Sequence, residues 1–568
     1  MCWPMMRERV SAPFSKSAHR SGSPEALAVN PYNEGLDANQ ANYQPLTPLR
    51  FLERTAQLYP DRIAICHGDT RFTYRQFYQR ACCLSGALQT RFGIKTGDTV
   101  SVLLANTPPM LECHYGIPMT GAVIHSINTR LDAAAIAFQL DHALSQVLIV
   151  DSEFSELASA ALSRLDNPPA VVIYRDPEIQ TDAESVCEYE ALLDLGHPDT
   201  PWHSPESEWD AISINYTSGT TGNPKGVVSH HRGAYLLAQG NILTLGMHQF
   251  DVYLWTLPMF HCNGWGFPWS LSLIAGVHVC LRQVRAPAIF EAIKSERVTH
   301  LCGAPAVMRI LTETAPSPTQ QWKHPVTFCT AAAPPPAPIL KAMQEQGFHL
   351  VHLYGLTETY GPAVVNEWNP DWDLLDVESR VERTARQGVR YHALERLAVL
   401  DPSTLKPVPH DGKTLGEVMF SGNIVMKGYF RNPDATQKAF QNGWFHSGDL
   451  AVVHPDGYLQ LKDRAKDIII SGGENISSIE VEDVLYQHPG IRLAAVIAVN
   501  DDRWGEVPHA FVEPHPNQIV TPDELRTWCI ERLAKFKVPK QFTLQTIPVT
   551  STGKIRKVSL REQSQKGE

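Results

Sequence analysis

Hydroxyls, glycines and one lysine crowd the run Tyr216-Thr217-Ser218-Gly219-Thr220-Thr221-Gly222-Asn223-Pro224-Lys225-Gly226. Glycines let backbone N–H groups approach an anion closely, and hydroxyls with an ammonium complete a cradle for phosphate. The run is not the G-x-x-x-x-G-K-[ST] loop, because Lys225 is followed by Gly226-Val227 and no Ser or Thr comes after it. A surface loop is the plain alternative. The density of hydroxyls and glycines around one lysine favours a phosphate loop of another kind.

Further groups with chemical potential follow in order. In Tyr354-Gly355-Leu356-Thr357-Glu358-Thr359 a hydroxyl precedes a carboxylate at the end of an apolar run. That suits Mg²⁺, which takes one or two carboxylates together with nucleotide phosphates. Asp449, in Gly443-Trp444-Phe445-His446-Ser447-Gly448-Asp449-Leu450, can accept ribose hydroxyls or be a turn aspartate. Lys462-Asp463-Arg464-Ala465-Lys466-Asp467 alternates charge, which reads as a solvated face or, at a change of composition, as a hinge. In Ser471-Gly472-Gly473-Glu474-Asn475-Ile476 the paired glycines permit positive φ and close backbone approach. Lys554, in Thr550-Ser551-Thr552-Gly553-Lys554-Ile555-Arg556-Lys557, reads on its own as solvent decoration near a terminus. His261-Cys262 lacks the four-ligand pattern of a zinc site, and no nucleophile–base pairing is legible for Cys262 or Cys329.

The elements that must position these groups are legible too. Ala211-Ile212-Ser213-Ile214-Asn215 alternates as a strand does and delivers the first loop from its end. Thr99–Leu104 and Gln146–Val150 are short, nearly all-apolar runs, as expected of strands buried on both faces of a parallel sheet. Helical patterns open at Pro48–Leu52 and Thr73–Phe77, and strands are expected at Asp61–Cys66, Val252–Leu257, Val277–Leu281 and Val326–Thr330. The expected fold class is α/β: one α/β lobe over 45–200, a second over 205–395, a small β-rich subdomain to about 460, and a compact α+β tail. Domain boundaries are placed at 1–44 for a variable extension, 45–462 for the main body and 463–568 for a small lid.

Composition narrows the classes. Hydrophobic residues make up 43% and charged residues 19% of the 568, which suits a packed multi-lobe protein. The 49 basic and 60 acidic side chains leave a net charge of −11 with no concentrated basic stripe, so nucleic acid is not an expected partner. Eleven cysteines without a C-x-x-C pair point to reduced thiols in a cytosol-like compartment. No apolar run reaches the roughly 18 residues of a membrane span. Residues 1–28 are basic, serine-rich and acid-poor, the composition of an organelle transit peptide or equally of a disordered tail. The final Gln565-Lys566-Gly567-Glu568 is not a peroxisomal tripeptide. The expected location is therefore cytoplasmic, with mitochondria as the alternative.

Taken in order, these markers resemble those of the adenylate-forming superfamily, and in particular its short- and medium-chain or aryl acyl-CoA ligases, including methylthiopropionate-type and plant acyl-activating enzymes. The resemblance covers nearly all the chain after residue 45. It implies ATP, Mg²⁺ and coenzyme A as cofactors or co-substrates. Thr217, Ser218, Gly219, Thr220, Thr221, Gly222 and Lys225 would cradle phosphate, with Thr217 and Glu358 at the metal. It implies that Tyr354 stacks on adenine beside Gly355, that Thr357 contacts the α-phosphate, and that Asp449 and Arg464 take the ribose. Asp463 becomes a pivot, with Lys466, Gly472, Gly473 and Glu474 near the coenzyme A thiol, and Lys554 becomes a mobile catalytic lysine. His261 becomes a gate beside the acid carboxylate, with Trp265, Gly266 and Ala331 lining the acyl pocket. Ala331-Ala332-Ala333 replaces a common Gly-Gly-Ala, and the added methyls narrow the space near adenine and acid.

The expected activity is ATP-dependent conversion of a carboxylic acid to an acyl-AMP, followed by thioester formation with coenzyme A. Two alternatives stay open: an acyl-AMP ligase loading the phosphopantetheine of a carrier protein, and a non-catalytic sensor. The presence together of Glu358, Asp449 and Lys554 argues against the sensor.

Overall fold

The computed structural model describes residues 30–179, 188–217, 224–314, 324–331, 337–464, 466–472, 474–501, 503–549 and 555–566. The chain divides into two compact units, Met1–Gln44 and Pro45–Glu568. In the first, Asn30 caps a single 3-10 turn, Pro31–Asn33. The rest of the description concerns the second.

Among the described residues, four sheets organise it. The first runs in the order Gly428–Tyr429, Lys225–His230, Ala211–Thr217, Val123–Ser126, Thr99–Leu103, Ser145–Asp151, Ala170–Tyr174. From Ala211–Thr217 onward its neighbours are parallel, and Val100, Val102 and Leu103 at its centre are fully buried. A strand covered on both faces has no polar side to alternate with, which is why these runs are apolar throughout. The second sheet has nine strands, from Val389–Arg390 through Phe348–Leu356 and Val252–Leu254 to Ile63–His67 and Thr70–Thr73. The third is the small antiparallel sheet Arg396–Leu400, Gly416–Ser421, Phe445–Val453, Leu459–Arg464. The fourth belongs to the small C-terminal domain: Glu474–Ile476, Ile469–Ser471, Gly505–Pro514 and Ile491–Asp501, with Gln541–Leu544 added to Gly505–Pro514.

The expected α/β class holds, but the sheets do not respect a division near residue 200. Ile63–His67 pairs in parallel with Val277–Val279, joining the second sheet, while the hairpin around the signature loop joins the first. Parallel strands pair across long crossovers, so their neighbours are not set by local pattern. Local pattern does set the helices. Thr73 Oγ1 accepts from the Gln76 N–H and Gln76 Oε1 from the Thr73 N–H, a reciprocal cap that starts helix Tyr74–Phe92. Gly93, at φ +68°, ends it in the left-handed region where a side chain is disfavoured. Among the described residues no helix is long and apolar enough to cross a membrane.

Candidate active site

The two ends of the hydroxyl- and glycine-rich run lie on paired strands. Ala211–Thr217 runs antiparallel to Lys225–His230, with Thr217 opposite Lys225 and Tyr216 opposite Gly226. The expected strand before the run is present, and a second strand, not expected from sequence, follows it. Ser218, Gly219, Thr220, Thr221 and Gly222 lie outside the described residues. The Lys225 ammonium stands 4.2 Å from the centroid of the Tyr429 ring.

Strand Phe348–Leu356 carries the second marker toward the same place. At Gly355 a Cβ would lie 1.9 Å from the Gly361 carbonyl oxygen, so only glycine fits. The chain then turns through Thr357–Thr359, where Thr359 Oγ1 accepts from the Leu356 N–H at 2.9 Å and donates to the Gly361 carbonyl at 2.8 Å. This presents the Glu358 side chain. Burial pushes its carboxyl up, against the pull of a 2.9 Å hydrogen bond from Tyr429 and the charge of Lys225. A half-buried carboxylate of this kind gains from a cation placed on it, and Glu358 beside hydroxyls fits a hard, oxygen-seeking divalent ion. Thr357 Oγ1 accepts from the Cys262 thiol at 3.3 Å. Burial raises that thiol to about 12, so it stays neutral and a donor.

The third and fourth markers meet across the small sheet. Asp449 and Arg464 are paired residues on neighbouring strands, with Arg464 Nε 3.1 Å from Asp449 Oδ1. Tyr354 donates to Asp449 Oδ2 at 2.7 Å, so Tyr354, Asp449 and Arg464 form one chain of contacts. The Tyr354 ring also packs 5.9 Å from that of Phe420.

The segment after His261 is unusual. Cys262, Asn263, Gly264, Trp265 and Gly266 have φ of +45°, +43°, +56°, +55° and +76°, a left-handed turn in which three residues are not glycine. Each such residue costs about 1–2 kcal/mol, so the turn persists only where its surroundings hold it. Asn263 Nδ2 donates to Ser126 Oγ at 3.1 Å, and Asn241 Nδ2 donates to the Trp265 carbonyl at 2.8 Å. A Cβ on Gly264 would come within 2.8 Å of the Trp255 ring. The turn buries Trp265 against Gly361, just past the Thr357–Thr359 turn. Ala331 is buried one residue beyond the Thr330–His352 pair, beside the strand that carries Tyr354. Ala332 and Ala333 lie outside the described residues.

Strand Leu459–Arg464 runs across the 462/463 boundary expected from sequence. Asp463 Oδ2 accepts from the Ser478 N–H and hydroxyl, both at 2.6 Å, and Oδ1 from the Arg464 N–H at 2.8 Å. The Lys557 ammonium donates to the same Ser478 hydroxyl and lies 2.7 Å from Glu482. Lys466 is pushed down by burial. Glu474 is exposed on its short strand, and the Gly472 N–H donates to the Trp504 carbonyl at 2.7 Å. Gly473 and Lys554 lie outside the described residues. Sequence reasoning missed Tyr429, Lys557 and the Asn241–Asn263 clamps; the nearness of Lys557 to Lys554 was the one available signal.

The profile described as AMP-binding enzyme matches residues 52–430, and that described as AMP-binding enzyme C-terminal domain matches 480–554. The chain belongs to the AMP-binding enzyme family. Within that family it stands among acyl-CoA ligases, AMP-forming acid–thiol ligases. It is 47% identical over 541 residues to acetate/butyrate–CoA ligase, peroxisomal, of Arabidopsis thaliana, covering 92% of this chain and 95% of that one. It is 44% identical to trans-cinnamate:CoA ligase, peroxisomal, of Petunia hybrida, covering 92% and 94%. Among solved structures, o-succinylbenzoate coenzyme A synthetase from Bacillus subtilis in complex with ATP and magnesium ion superposes with a TM-score of 0.76 at 27% identity, covering 90% of this AMP-binding enzyme and 99% of that chain.

Proposed function

We propose that this AMP-binding enzyme activates a short-chain or aryl carboxylic acid with ATP and passes the acyl group to coenzyme A. The observation that carries this reading is the meeting of Tyr354, Asp449 and Arg464 in one contact chain, with Lys225, Tyr429 and Glu358 in another. The first suits a ribose, with carboxylate oxygens to accept its hydroxyls. The second suits phosphates and their counter-ion.

In the first step the acid's carboxylate attacks the α-phosphorus of ATP, and pyrophosphate leaves with its electron pair. Lys225 at the hairpin end and Lys554 from the lid would balance the charge that grows on the transferring group. Glu358, with Thr217, which pairs with Lys225 on the hairpin, would hold Mg²⁺, which supplies charge neutralisation at the phosphates. The His261–Gly266 turn would bound the acyl group, its shape fixed by the clamps on Asn263 and Trp265. In the second step the coenzyme A thiolate attacks the acyl carbonyl carbon and AMP leaves.

The two steps need different neighbours around one bound nucleotide. We read residues 45–462 as the body and 463–568 as a lid that turns about Asp463 between them. Lys554 would serve the first step and Gly473, with Gly472, Lys466 and Glu474, the second. The cytoplasm is the proposed location, and mitochondrial import of a full-length fluorescent fusion would replace it.

The test is AMP release from ATP and Mg²⁺ against C2–C16 and aryl acids, with and without coenzyme A. Release requiring both coenzyme A and one class of acid is expected. Release without coenzyme A, together with acylation of a carrier protein, would replace this reading with the acyl-AMP ligase.

A further inference from the structure

The segment Met426 to Phe430 is stitched to two of the site's motifs at once. The Met426 N–H donates to the Glu358 carbonyl at 2.8 Å, and the Phe430 N–H donates to the Gly226 carbonyl at 2.7 Å. Between those anchors Gly428–Tyr429 pairs antiparallel with Val228 and Val227 of the signature hairpin. Tyr429 is buried there, 9% exposed. Its hydroxyl donates to Glu358 Oε1 at 2.9 Å, and its ring lies 4.2 Å beneath the Lys225 ammonium. One side chain thus touches the site's half-buried carboxylate and its hairpin lysine.

Both contacts have the right chemistry. A carboxylate that ligates a cation through one oxygen is aimed by whatever its other oxygen accepts from, and such outer partners govern cation affinity. The phenol meets Glu358 as a donor, through the 2.9 Å bond to Oε1. An ammonium over an aromatic face is attracted by the ring's quadrupole yet keeps its N–H donors free for other acceptors.

We propose that Tyr429 is a positioning residue of the nucleotide site, aiming the Glu358 carboxylate at a divalent cation and the Lys225 ammonium at the phosphates. The proposal rests on the reading of Glu358 as the cation's ligand. It adds that the spacing of carboxylate and lysine is set by a single phenol ring inserted between them.

The test uses Mn²⁺ as the probe, its binding to the full chain with α,β-methylene-ATP followed by electron paramagnetic resonance, so that no turnover is needed. Tyr429→Phe keeps the ring and removes the donor. It is expected to weaken Mn²⁺ binding about tenfold or more, while leaving the analogue's affinity in the absence of cation unchanged. Tyr429→Leu removes both contacts and should show the same Mn²⁺ loss with about threefold weaker binding of the analogue alone. Glu358→Gln marks the full loss. Wild-type Mn²⁺ affinity in Tyr429→Phe, alongside weakened binding in Glu358→Gln, would overturn the proposal and leave the role of Glu358 standing. Wild-type affinity in Glu358→Gln would overturn both. Because melting temperature is recorded for each variant, a general loss of stability with intact Mn²⁺ affinity counts against positioning.

Discussion

The hydroxyl of Tyr354 donates a 2.7 Å hydrogen bond to Oδ2 of Asp449, joining residues 95 positions apart. Arg464 closes on the other oxygen at 3.1 Å. Asp449 is therefore oriented from two sides before any nucleotide arrives. Hydrogen bonds to charged groups contribute about 1.5–3 kcal/mol each. Asp449→Asn should accordingly raise the KM for ATP by about tenfold or more, with the KM for the acid at saturating ATP little changed. Initial-rate kinetics check this. An unchanged ATP KM would remove Asp449 from the nucleotide site.

The left-handed turn offers a paired comparison. At Gly264 an added Cβ meets the Trp255 ring at 2.8 Å as well as a φ of +56°, whereas at Gly266 the nearest atom is an ordinary 3.4 Å away and only φ is unfavourable. Gly266→Ala should cost about 1–2 kcal/mol of stability. Gly264→Ala should cost more, and should lower kcat/KM for the acid with ATP binding preserved. Chemical unfolding and kinetics on both variants decide. Equal effects at the two positions would mean that the Trp255 contact yields freely.

Buried histidines are expected to contribute to the loss of stability in acid. Burial lowers His114 to about 4 and His125 and His278 to about 3. The native state holds them neutral, while the unfolded chain takes up protons below its ordinary value of about 6.5. Their contribution is thus complete above pH 6.5 and is lost as pH falls from there toward 4 and 3. Each adds a slope of up to about 1.4 kcal/mol per pH unit in that window. The melting temperature should fall steadily below pH 6.5, and His114→Gln should make the fall shallower. A slope identical to wild type would show that His114 does not contribute.

Lys557 is a largely buried cation, its side chain 13% exposed, tied to Glu482 and, through the Ser478 hydroxyl, to Asp463. Removing one member of a buried pair leaves the other charge uncompensated, at about 3–5 kcal/mol. Lys557→Met should lower the unfolding midpoint of the lid by that order, and Lys557→Arg should recover part of it. Hydrogen exchange across helix Ser478–Tyr486 reads the effect locally. Unchanged protection there would show that Lys557 does not brace the pivot.

Much of this molecule was legible in its residues, and the exceptions have physical reasons. Thr99–Leu103 and Ala211–Thr217 announced themselves because burial on one or both faces imposes a pattern on side chains. The membership of Ile63–His67 in the second sheet left no such trace, since backbone pairing across long crossovers is indifferent to side-chain type. In the site, glycines and acids could be singled out one by one, but not the contact of Tyr354 with Asp449, which only folding creates. The left-handed turn was hidden because Cys262 and Trp265 are poor hosts for positive φ, and Asn263-Gly264 was the sole local hint. Tyr429 was hidden because its strand is two residues long, too short to show a period.

The central claim is that the acid's own oxygen becomes bonded to the α-phosphorus. A carboxylic acid labelled with ¹⁸O in its carboxylate, turned over once with ATP and coenzyme A, tests it most directly by mass spectrometry of the products. AMP carrying one ¹⁸O, with pyrophosphate unlabelled, is expected. Unlabelled AMP, or ADP with labelled phosphate, would contradict it.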